Sequence, residues 1–287
     1  MSFARPLSFG ESYAGHYIPE LATEILDNAA TDSPIPLRGI GLGNAWVNPL
    51  VQQEFDADYA YAHGLIGLNE KQKADGYYAD IVAAFARDPE EADSKSTVLI
   101  NYIEAISQHF NPYDIRATQG YDYDPLIRYL RRDDVKSSLH VDPAAVPWAT
   151  RSSAIAANLK SNIQASRAEL FPRLLANMRV LIYNGIYDMD CNFMGTDAWL
   201  SQIEWPRQRQ FNECQRLPWM DDKMKKLFGH LRLAGNLTQL LVLDAGHLVP
   251  MDQPEAALRL IEHFMADDFR DRYNKMAVKK HVPTIDD

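Results

Sequence analysis

The stretch Gly10-Glu11-Ser12-Tyr13-Ala14-Gly15 is the most informative part of this chain. We read it as a turn of the G-x-S-x-G type, which joins a strand to a helix and exposes a serine hydroxyl at the top of a sheet. The flanking residues fit that context. A short apolar run precedes the turn at residues 7–9, and residues 17–26 follow it with the spacing of an amphipathic helix. Pro19 is expected in the first turn of that helix or at a kink.

Further strand-like runs place this turn in an α/β architecture. A glycine-rich run at residues 37–44 predicts the strand after the helix, and a β-branched apolar run at 179–183 predicts another. Two more strands are predicted at 229–234 and 239–243. The order strand, turn, helix and strand is the one that a serine of this type requires in an α/β-hydrolase sheet.

The rest of the chain is predicted to be mostly helical. Helices are expected at residues 57–65, 72–85, 99–110 and 194–203. We therefore predict a single α/β-hydrolase domain over residues 1–287, whose sheet lacks its N-terminal strands. Its parts are a core at 1–50 and 176–272, a helical cap insertion at 51–175 and a loose tail at 273–287.

The last predicted helix has clear signals at its start. Asp252 suits an acidic N-cap, Pro254 suits the first turn, and Glu255 lies three residues after the cap. The apolar residues that follow are expected to form one apolar face. They are Ala257, Leu258, Ile261, Phe264 and Met265.

Composition excludes several classes of function. The chain has 287 residues, 46% of them hydrophobic, and a formal net charge of −10. That charge argues against nucleic acid and against an anionic membrane surface as partners, and no stretch approaches the length of a transmembrane span. The patterns H-E-x-x-H, C-x-x-C and the P-loop are absent, so we expect neither a metal ion nor a cofactor. Cys191 and Cys214 allow at most one disulfide, and the sequence leaves open whether they pair.

A serine, an acid and a histidine are the candidates for catalysis. A serine hydroxyl becomes a nucleophile when a base takes its proton and an acid orients that base. Among eight histidines, only His247 lies on a short loop between a predicted strand and a well-marked helix. The acid is expected after the strand that ends at Tyr183, where Asp188 and Asp190 both qualify by position. Spacing alone does not choose between these two aspartates.

Three stretches of the sequence resemble the serine carboxypeptidase family. Residues 10–19 contain its longer signature Gly-Glu-Ser-Tyr-Ala-Gly, and residues 246–254 resemble its histidine loop. Residues 181–188 resemble the loop that carries the acid in that family, and this resemblance assigns the acid to Asp188.

The resemblance covers nearly the whole chain. It extends from about residue 7 to residue 268 and is weakest in the cap, between residues 85 and 170. Residues 59–72 are similar to the vitellogenic-like animal branch of the family.

The resemblance implies a role for each residue of the site. Ser12 would be the nucleophile, His247 the general base and then the general acid, and Asp188 the partner that orients His247. The backbone N–H of Tyr13 would be one oxyanion donor. Glu11 would help to bind the free C-terminal carboxylate of a peptide, and the glutamates that serve this purpose in the family favour acidic pH.

The resemblance also implies a substrate and a location. Peptide or protein C-termini would be the substrate, and the protein would lie in a lysosome or vacuole or outside the cell. In such a location the sequon Asn236-Leu237-Thr238 becomes a candidate glycosylation site.

The start of the sequence departs from the family. Family members carry a signal peptide, the first strands of the sheet and a W-x-N-G-G-P-G stretch before the serine, whereas nine residues precede the motif here. That stretch supplies a second oxyanion donor, and the loss of one such donor lowers the rate by about 10²–10³. We therefore expect a truncated carboxypeptidase of reduced activity.

Two alternatives to a carboxypeptidase remain open at this point. An acyltransferase of the same fold would pass the acyl group to an alcohol, and a truncated product would have no enzymatic activity. The unpaired strand before Ser12 would also favour association of the chain, for example as a homodimer.

Overall fold

A six-stranded mixed sheet forms the centre of the fold in this computed structural model, which describes residues 6–30, 34–107, 110–221, 223 and 225–284. The strands lie in the order β1-β2-β3-β6-β5-β4. In chain order they are β1 (Leu7–Glu11), β2 (Gly39–Gly43), β3 (Arg179–Gly185), β4 (Leu217–Met220), β5 (Leu227–Ala234) and β6 (Leu237–Val242). The predicted α/β-hydrolase type of fold is thus confirmed, and β4 is a strand that the sequence pattern did not predict.

Four neighbouring strands of this sheet are parallel, and their register aligns their carboxyl ends. Glu11 of β1 pairs with Gly43 of β2, Gly43 pairs with Tyr183 of β3, and Tyr183 pairs with Leu240 of β6. The remaining strands, β5 and β4, continue the sheet in antiparallel pairing. Ligands of open α/β sheets bind outside the carboxyl ends of the strands, so the loops after β1, β2, β3 and β6 define where a site is expected.

Fourteen α-helices surround or extend the sheet within the described residues. They are α1 (Ala14–Asp27), α2 (Pro49–Gln53), α3 (Asp56–Ala62), α4 (Leu68–Phe85), α5 (Pro89–Ile106), α6 (Asp124–Leu130), α7 (Asp133–Ser138), α8 (Ser153–Leu159), α9 (Phe171–Asn177), α10 (Phe193–Gln202), α11 (Gln208–Glu213), α12 (Val249–Asp252), α13 (Pro254–Ala266) and α14 (Phe269–Lys280). Pro19 lies in the second turn of α1 rather than in its first. None of these helices is both long enough and apolar enough to cross a membrane.

Alternate residues of the strands build two cores on opposite faces of the sheet. Leu181 and Tyr183 of β3 point into a cluster that includes Phe264 of α13. Val180 and Ile182 belong to the other cluster, with helices α1, α9 and α10. The near-continuous apolar run of β3 is explained by this burial on both faces.

A third buried cluster holds the cap together. It is formed by residues of α3, α4 and α5, with Tyr59, Ile81, Leu99 and Ile103 fully buried. Helix α5 begins ten residues before its predicted start, because Asp88 is its N-cap and accepts a hydrogen bond from the Glu90 N–H at 2.9 Å. Its predicted end reached residues 108 and 109, which lie outside the described part of the chain.

The start of α13 differs from the prediction. Asp252 does not cap this helix: it ends α12, and its carboxylate accepts hydrogen bonds from the Gly246 N–H at 2.6 Å and the Tyr121 hydroxyl at 2.9 Å. The predicted apolar face is also only partly buried. Phe264 and Ala257 contact the core, whereas three other residues are exposed: Leu258 at 56%, Ile261 at 36% and Met265 at 65%.

The tail is not loose as far as residue 280. Residues 269–280 form α14, in which Tyr273, Met276 and Ala277 are buried against β4 and β5. The polar composition of the segment concealed this apolar face, and the buried aromatic ring is what anchors the helix.

Candidate active site

The turn that carries Ser12 is sharp and closely packed. Ser12 has a left-handed backbone with φ of 59°, and its N–H donates to the carbonyl of Gly43 at 3.0 Å. A Cβ on Gly10 would lie 2.5 Å from the Cβ of Ala14, and a Cβ on Gly15 would lie 2.4 Å from the carbonyl oxygen of Trp46. The second glycine of the G-x-S-x-G pattern is replaced by Ala14, and a glycine, Gly15, follows it. The turn thus keeps small residues where its packing is closest.

The loop after β3 presents a buried and fully bonded carboxylate. Asp188 is 0% exposed, and its Oδ2 accepts from Asn44 Nδ2 at 2.7 Å and from the Cys191 N–H at 3.3 Å. Its Oδ1 accepts from the Asp190 N–H at 3.0 Å. These donors fix the direction of the carboxylate.

The loop after β6 brings His247 to this carboxylate. His247 Nδ1 lies 2.8 Å from Asp188 Oδ2, and the ring is buried. The cap helps to place the loop, because the His247 N–H donates to the carbonyl of Tyr113 at 2.7 Å and the ring lies 4.8 Å from the Tyr113 ring. Asp190, the other candidate acid, does not take this position.

The third member, Ser12, lies at the same end of the sheet. Within the described part of the chain, no hydrogen bond joins the Ser12 hydroxyl to His247, whose Nδ1 contacts Asp188. Catalytic hydrogen bonds are often long without substrate and tighten in the complex. The structure thus shows the acid and the histidine already paired, with the serine on the neighbouring turn.

The charge on His247 is set by its neighbours. Burial lowers the pKa of the imidazole, but the carboxylate of Asp188 and its hydrogen bond, with smaller contributions from Asp190 and Glu11, outweigh burial and raise it to about 9. The same environment stabilises the imidazolium that forms when the ring accepts a proton.

Tyr13 lies at the N-terminal end of α1, where backbone donors lack partners within the helix. No acceptor for the Tyr13 N–H is recorded among the described residues. The oxyanion role of this N–H stays a prediction.

Glu11 lies on the other side of the serine, at the end of β1. Its Oε1 accepts a hydrogen bond from the Tyr183 hydroxyl at 3.2 Å. Burial raises the pKa of Glu11 to about 7, although the positive charge of His247 opposes this shift. The carboxyl is therefore neutral over much of the acidic range and can then act as a hydrogen-bond donor.

A cavity of about 310 Å³ opens beside Ser12, between the sheet and the cap. Its walls include Tyr13, Trp46 and Ile163, and two acidic residues, Asp93 and Asp190. Glu11 does not line it.

Both cysteines are free thiols, which answers the question that the sequence left open. Cys191 is buried, and its burial raises the pKa of the thiol well above its usual value. Its sulfur lies within 4.8 Å of donor atoms of Asp188 and His247, a grouping that could hold a metal ion. Because Asp188 and His247 already bond each other and the thiol stays protonated, the donor set fits a hydrolytic pair better than a metal centre.

Four further residues of the site were not predicted from the sequence as site residues. Asn44 bonds Asp188, and Tyr183 bonds Glu11. The loop of His247 is bonded by Tyr113, through its carbonyl, and by Asp252, through its carboxylate. Asn44 is the one with a detectable feature, since it follows the glycine-rich strand at the edge where the site was expected.

A serine on a strand–helix turn, followed by an acid and a histidine in later loops of a parallel sheet, defines the class of α/β-hydrolases. The model of the family described as serine carboxypeptidase matches residues 7–267. The chain belongs to this family, which confirms the resemblance inferred from the sequence, whereas the vitellogenic-like branch stays a prediction.

Two similar proteins come from Dictyostelium discoideum. Serine carboxypeptidase S10 family member 1 is 30% identical over 90% of this chain, and member 2 is 34% identical over 89%. The chain spans 63% and 49% of their respective lengths.

A solved structure with the same fold is that of KEX1(delta)P, a prohormone-processing carboxypeptidase from Saccharomyces cerevisiae. It superimposes with a TM-score of 0.76 at 22% identity, over 91% of this chain and 62% of the other.

Proposed function

We propose that this chain carries the catalytic residues of a serine-type carboxypeptidase, which removes C-terminal residues from peptides through an acyl-enzyme at Ser12. The observation that carries the proposal is the 2.8 Å contact between buried His247 and Asp188, beside the turn that exposes Ser12. Membership of the serine carboxypeptidase family supports the same reaction.

The first half of the reaction forms the acyl-enzyme. Ser12 Oγ attacks the carbonyl carbon of the last peptide bond, and its proton passes to Nε2 of His247 in the fraction of the protein whose imidazole is neutral. The oxyanion that forms accepts a hydrogen bond from the Tyr13 N–H. The C–N bond then breaks, and the leaving amine takes the proton from His247. Asp188 keeps the ring oriented throughout.

The second half returns the free enzyme. Water loses a proton to His247 as it attacks the acyl carbon, and the proton passes back to Ser12 Oγ when the C–O bond of the acyl-enzyme breaks. The product is the peptide shortened by one residue.

Glu11 makes the reaction specific for a chain end. A neutral carboxyl donates a hydrogen bond to the terminal carboxylate of the peptide, whereas an ionised one repels it. The pKa of about 7 keeps Glu11 neutral in acidic solution. We infer that acidic pH favours binding of the peptide.

A fluorophosphonate probe and a blocked dipeptide test the proposal together. We expect labelling and release of the C-terminal residue, both abolished by Ser12→Ala, with labelling reduced by at least about 10³-fold in His247→Ala. Transfer of the acyl group to an alcohol is measured with a glucose ester and an acceptor alcohol. A chain that is labelled by the probe and carries out this transfer would instead be an acyltransferase. Absence of labelling in a folded sample would support a non-enzymatic product.

We also propose a location in a lysosome or vacuole or outside the cell, with peptide C-termini as partners. In such a location the exposed Asn236, in the turn between β5 and β6, is a candidate for a glycan on its Nδ2, which here donates to the carbonyl of Leu175 at 2.8 Å. Treatment of the natural protein with an N-glycosidase is expected to change its electrophoretic mobility, and Asn236→Gln removes that change.

A further inference from the structure

Ser12 lines the cavity described above. Glu11 contacts Tyr183, and neither of these residues lines the cavity. If the terminal carboxylate of a peptide lies at Glu11 and its scissile carbonyl at Ser12, the chain on the other side of the carbonyl points toward the cavity. The cavity then receives the side chain of the penultimate residue, which forms the acyl-enzyme.

The charges on the cavity wall are all negative. Asp190 follows the acid loop and Asp93 lies on α5, whereas no lysine, arginine or histidine is among the described residues that line the cavity. Neither aspartate forms an ion pair within the described part of the chain. The polar contact of the Asp190 carboxylate is weak, a 3.7 Å approach of the Cys191 thiol.

Other parts of the wall suit a long side chain. Tyr17, Leu159 and Ile163 provide apolar surface along which an aliphatic stem can pack. The hydroxyl oxygen of Tyr13, also on the wall, is buried and has no hydrogen-bond partner. It can accept a hydrogen bond from a cationic group placed between it and the carboxylates.

We propose that this cavity selects a lysine or arginine as the penultimate residue of the peptide, with Asp190 as the main determinant and Asp93 as the second. The inference rests on the proposed carboxypeptidase function for the orientation of the peptide. The unpaired carboxylates provide the attraction, and the apolar walls provide the contact area.

The charge state of Asp190 gives the preference a pH dependence. Burial, followed by the charge of Asp188, raises the pKa of Asp190 to about 6, while His247 and the Cys191 thiol oppose the rise and Glu104 of α5 adds to it. Above pH 6 the carboxylate is ionised and attracts a cation. The preference for a basic residue is therefore expected to grow as pH rises through 6.

Blocked dipeptides with lysine or norleucine before a C-terminal phenylalanine test this inference, since the two side chains share an aliphatic stem. Protein expressed from the complete natural coding sequence is expected to hydrolyse the lysine peptide about 10- to 100-fold faster in kcat/KM, the range for a hydrogen bond to a charged group. Asp190→Asn is expected to reduce this ratio by about tenfold or more, and Asp93→Asn by less. Asp80→Asn removes one negative charge from an exposed position on α4, and we expect it to leave the ratio unchanged.

A binding experiment separates this inference from the proposed function. Calorimetry on Ser12→Ala measures the affinity of both peptides without turnover. If the protein with Ser12 intact shows no activity but the calorimetry shows a preference for lysine that depends on Asp190, the inference is supported and the proposed function is contradicted. Equal affinity for the two peptides, or a preference that Asp190→Asn does not change, overturns the inference even if the protein is an active carboxypeptidase.

Discussion

Glu11 is the residue whose protonation is expected to control peptide binding. In Glu11→Gln the amide donates to a terminal carboxylate at every pH, whereas the wild-type carboxyl loses its proton near pH 7. KM for a blocked dipeptide should therefore rise above pH 7 in the wild type and stay level in the variant. Steady-state kinetics from pH 5 to 8.5 measure the difference. An identical rise in both proteins would assign the titration to another group.

Asn44 is expected to position Asp188 without touching the peptide. It donates to the Asp188 carboxylate at 2.7 Å, and its Oδ1 accepts from the Gly185 N–H at 3.0 Å. Asn44→Ala leaves both groups short of a partner in a fully buried place, which costs about 1–3 kcal/mol of stability. We expect kcat to fall about tenfold or more while KM changes little. A fall in stability with unchanged kcat would limit Asn44 to a structural role.

Site residues that lie in a recognisable local motif could be predicted from the sequence. Site residues that act through contacts between distant parts of the chain could not. Ser12 lies in a marked turn, and His247 lies between a strand and a helix, so local pattern was sufficient for both. Asp188 and Asp190 were equivalent by spacing, and the resemblance to a family separated them. Asn44 acts between the neighbouring strands β2 and β3, and Tyr183 of β3 reaches past β2 to Glu11 of β1. No local pattern encodes such contacts.

At the scale of elements, the close approach of α1 to the loop after β2 depends on Gly15. A Cβ there would lie 2.4 Å from the carbonyl oxygen of Trp46, which is backbone and cannot move aside cheaply. Gly15→Ala is expected to destabilise the protein by about 1–3 kcal/mol and to displace the Ser12 turn.

Gly76→Ala on α4 is the matched control, because no atom lies within 4 Å of its added Cβ. It is expected to stabilise by about 0.5–1 kcal/mol. Denaturant unfolding and probe labelling of both variants measure the effects, and equal stability of the two would contradict the packing argument.

The sequence predicted which elements exist better than where they end. Strands β2, β3, β5 and β6 were predicted from apolar runs that the sheet buries. Helix α5 was placed too late because its cap, Asp88, lies before a polar first half, and α14 was missed because its buried face is short. The apolar face of α13 was predicted, but part of it is exposed, since periodicity shows an apolar stripe and not what covers it.

At the scale of the whole molecule, buried acids are expected to make the protein more stable in acidic solution. Burial raises the pKa of Glu11 to about 7 and of Asp190 to about 6, and it raises that of Asp56 as well. Their contribution is fully present below the pKa values of the unfolded chain and is lost as pH rises through the folded values. Each shift of one unit corresponds to about 1.4 kcal/mol, so Glu11 and Asp190 each contribute on the order of 3 kcal/mol.

Thermal unfolding at pH 5 and pH 7.5 tests this dependence. The midpoint is expected to be higher at pH 5, and the difference should shrink in Glu11→Gln. His247, whose pKa is raised to about 9, contributes in the same direction, so some dependence remains in the variant. A midpoint that rises with pH would show that other carboxylates dominate.

Strand β1 and the exposed stripe of α13 are expected to mediate self-association. β1 is an edge strand of the described sheet, and its Phe9 packs against Phe264 of α13 with ring centroids 5.6 Å apart. The exposed Leu258 and Met265 therefore extend an apolar surface beside an unpaired edge, a combination that favours pairing with a second chain.

Light scattering after size exclusion, at micromolar concentration, measures this association. We expect the wild-type chain to elute as a dimer or larger species and Leu258→Glu with Met265→Glu to shift it toward the monomer, because burying a carboxylate in an apolar contact is costly. Leu139→Glu with Val146→Glu, two exposed apolar residues of the cap, is the control for added charge and should not shift it. If both double variants elute like the wild type, the surface beside β1 does not mediate contact between chains. If the control dissociates the assembly equally, net charge rather than this surface governs association.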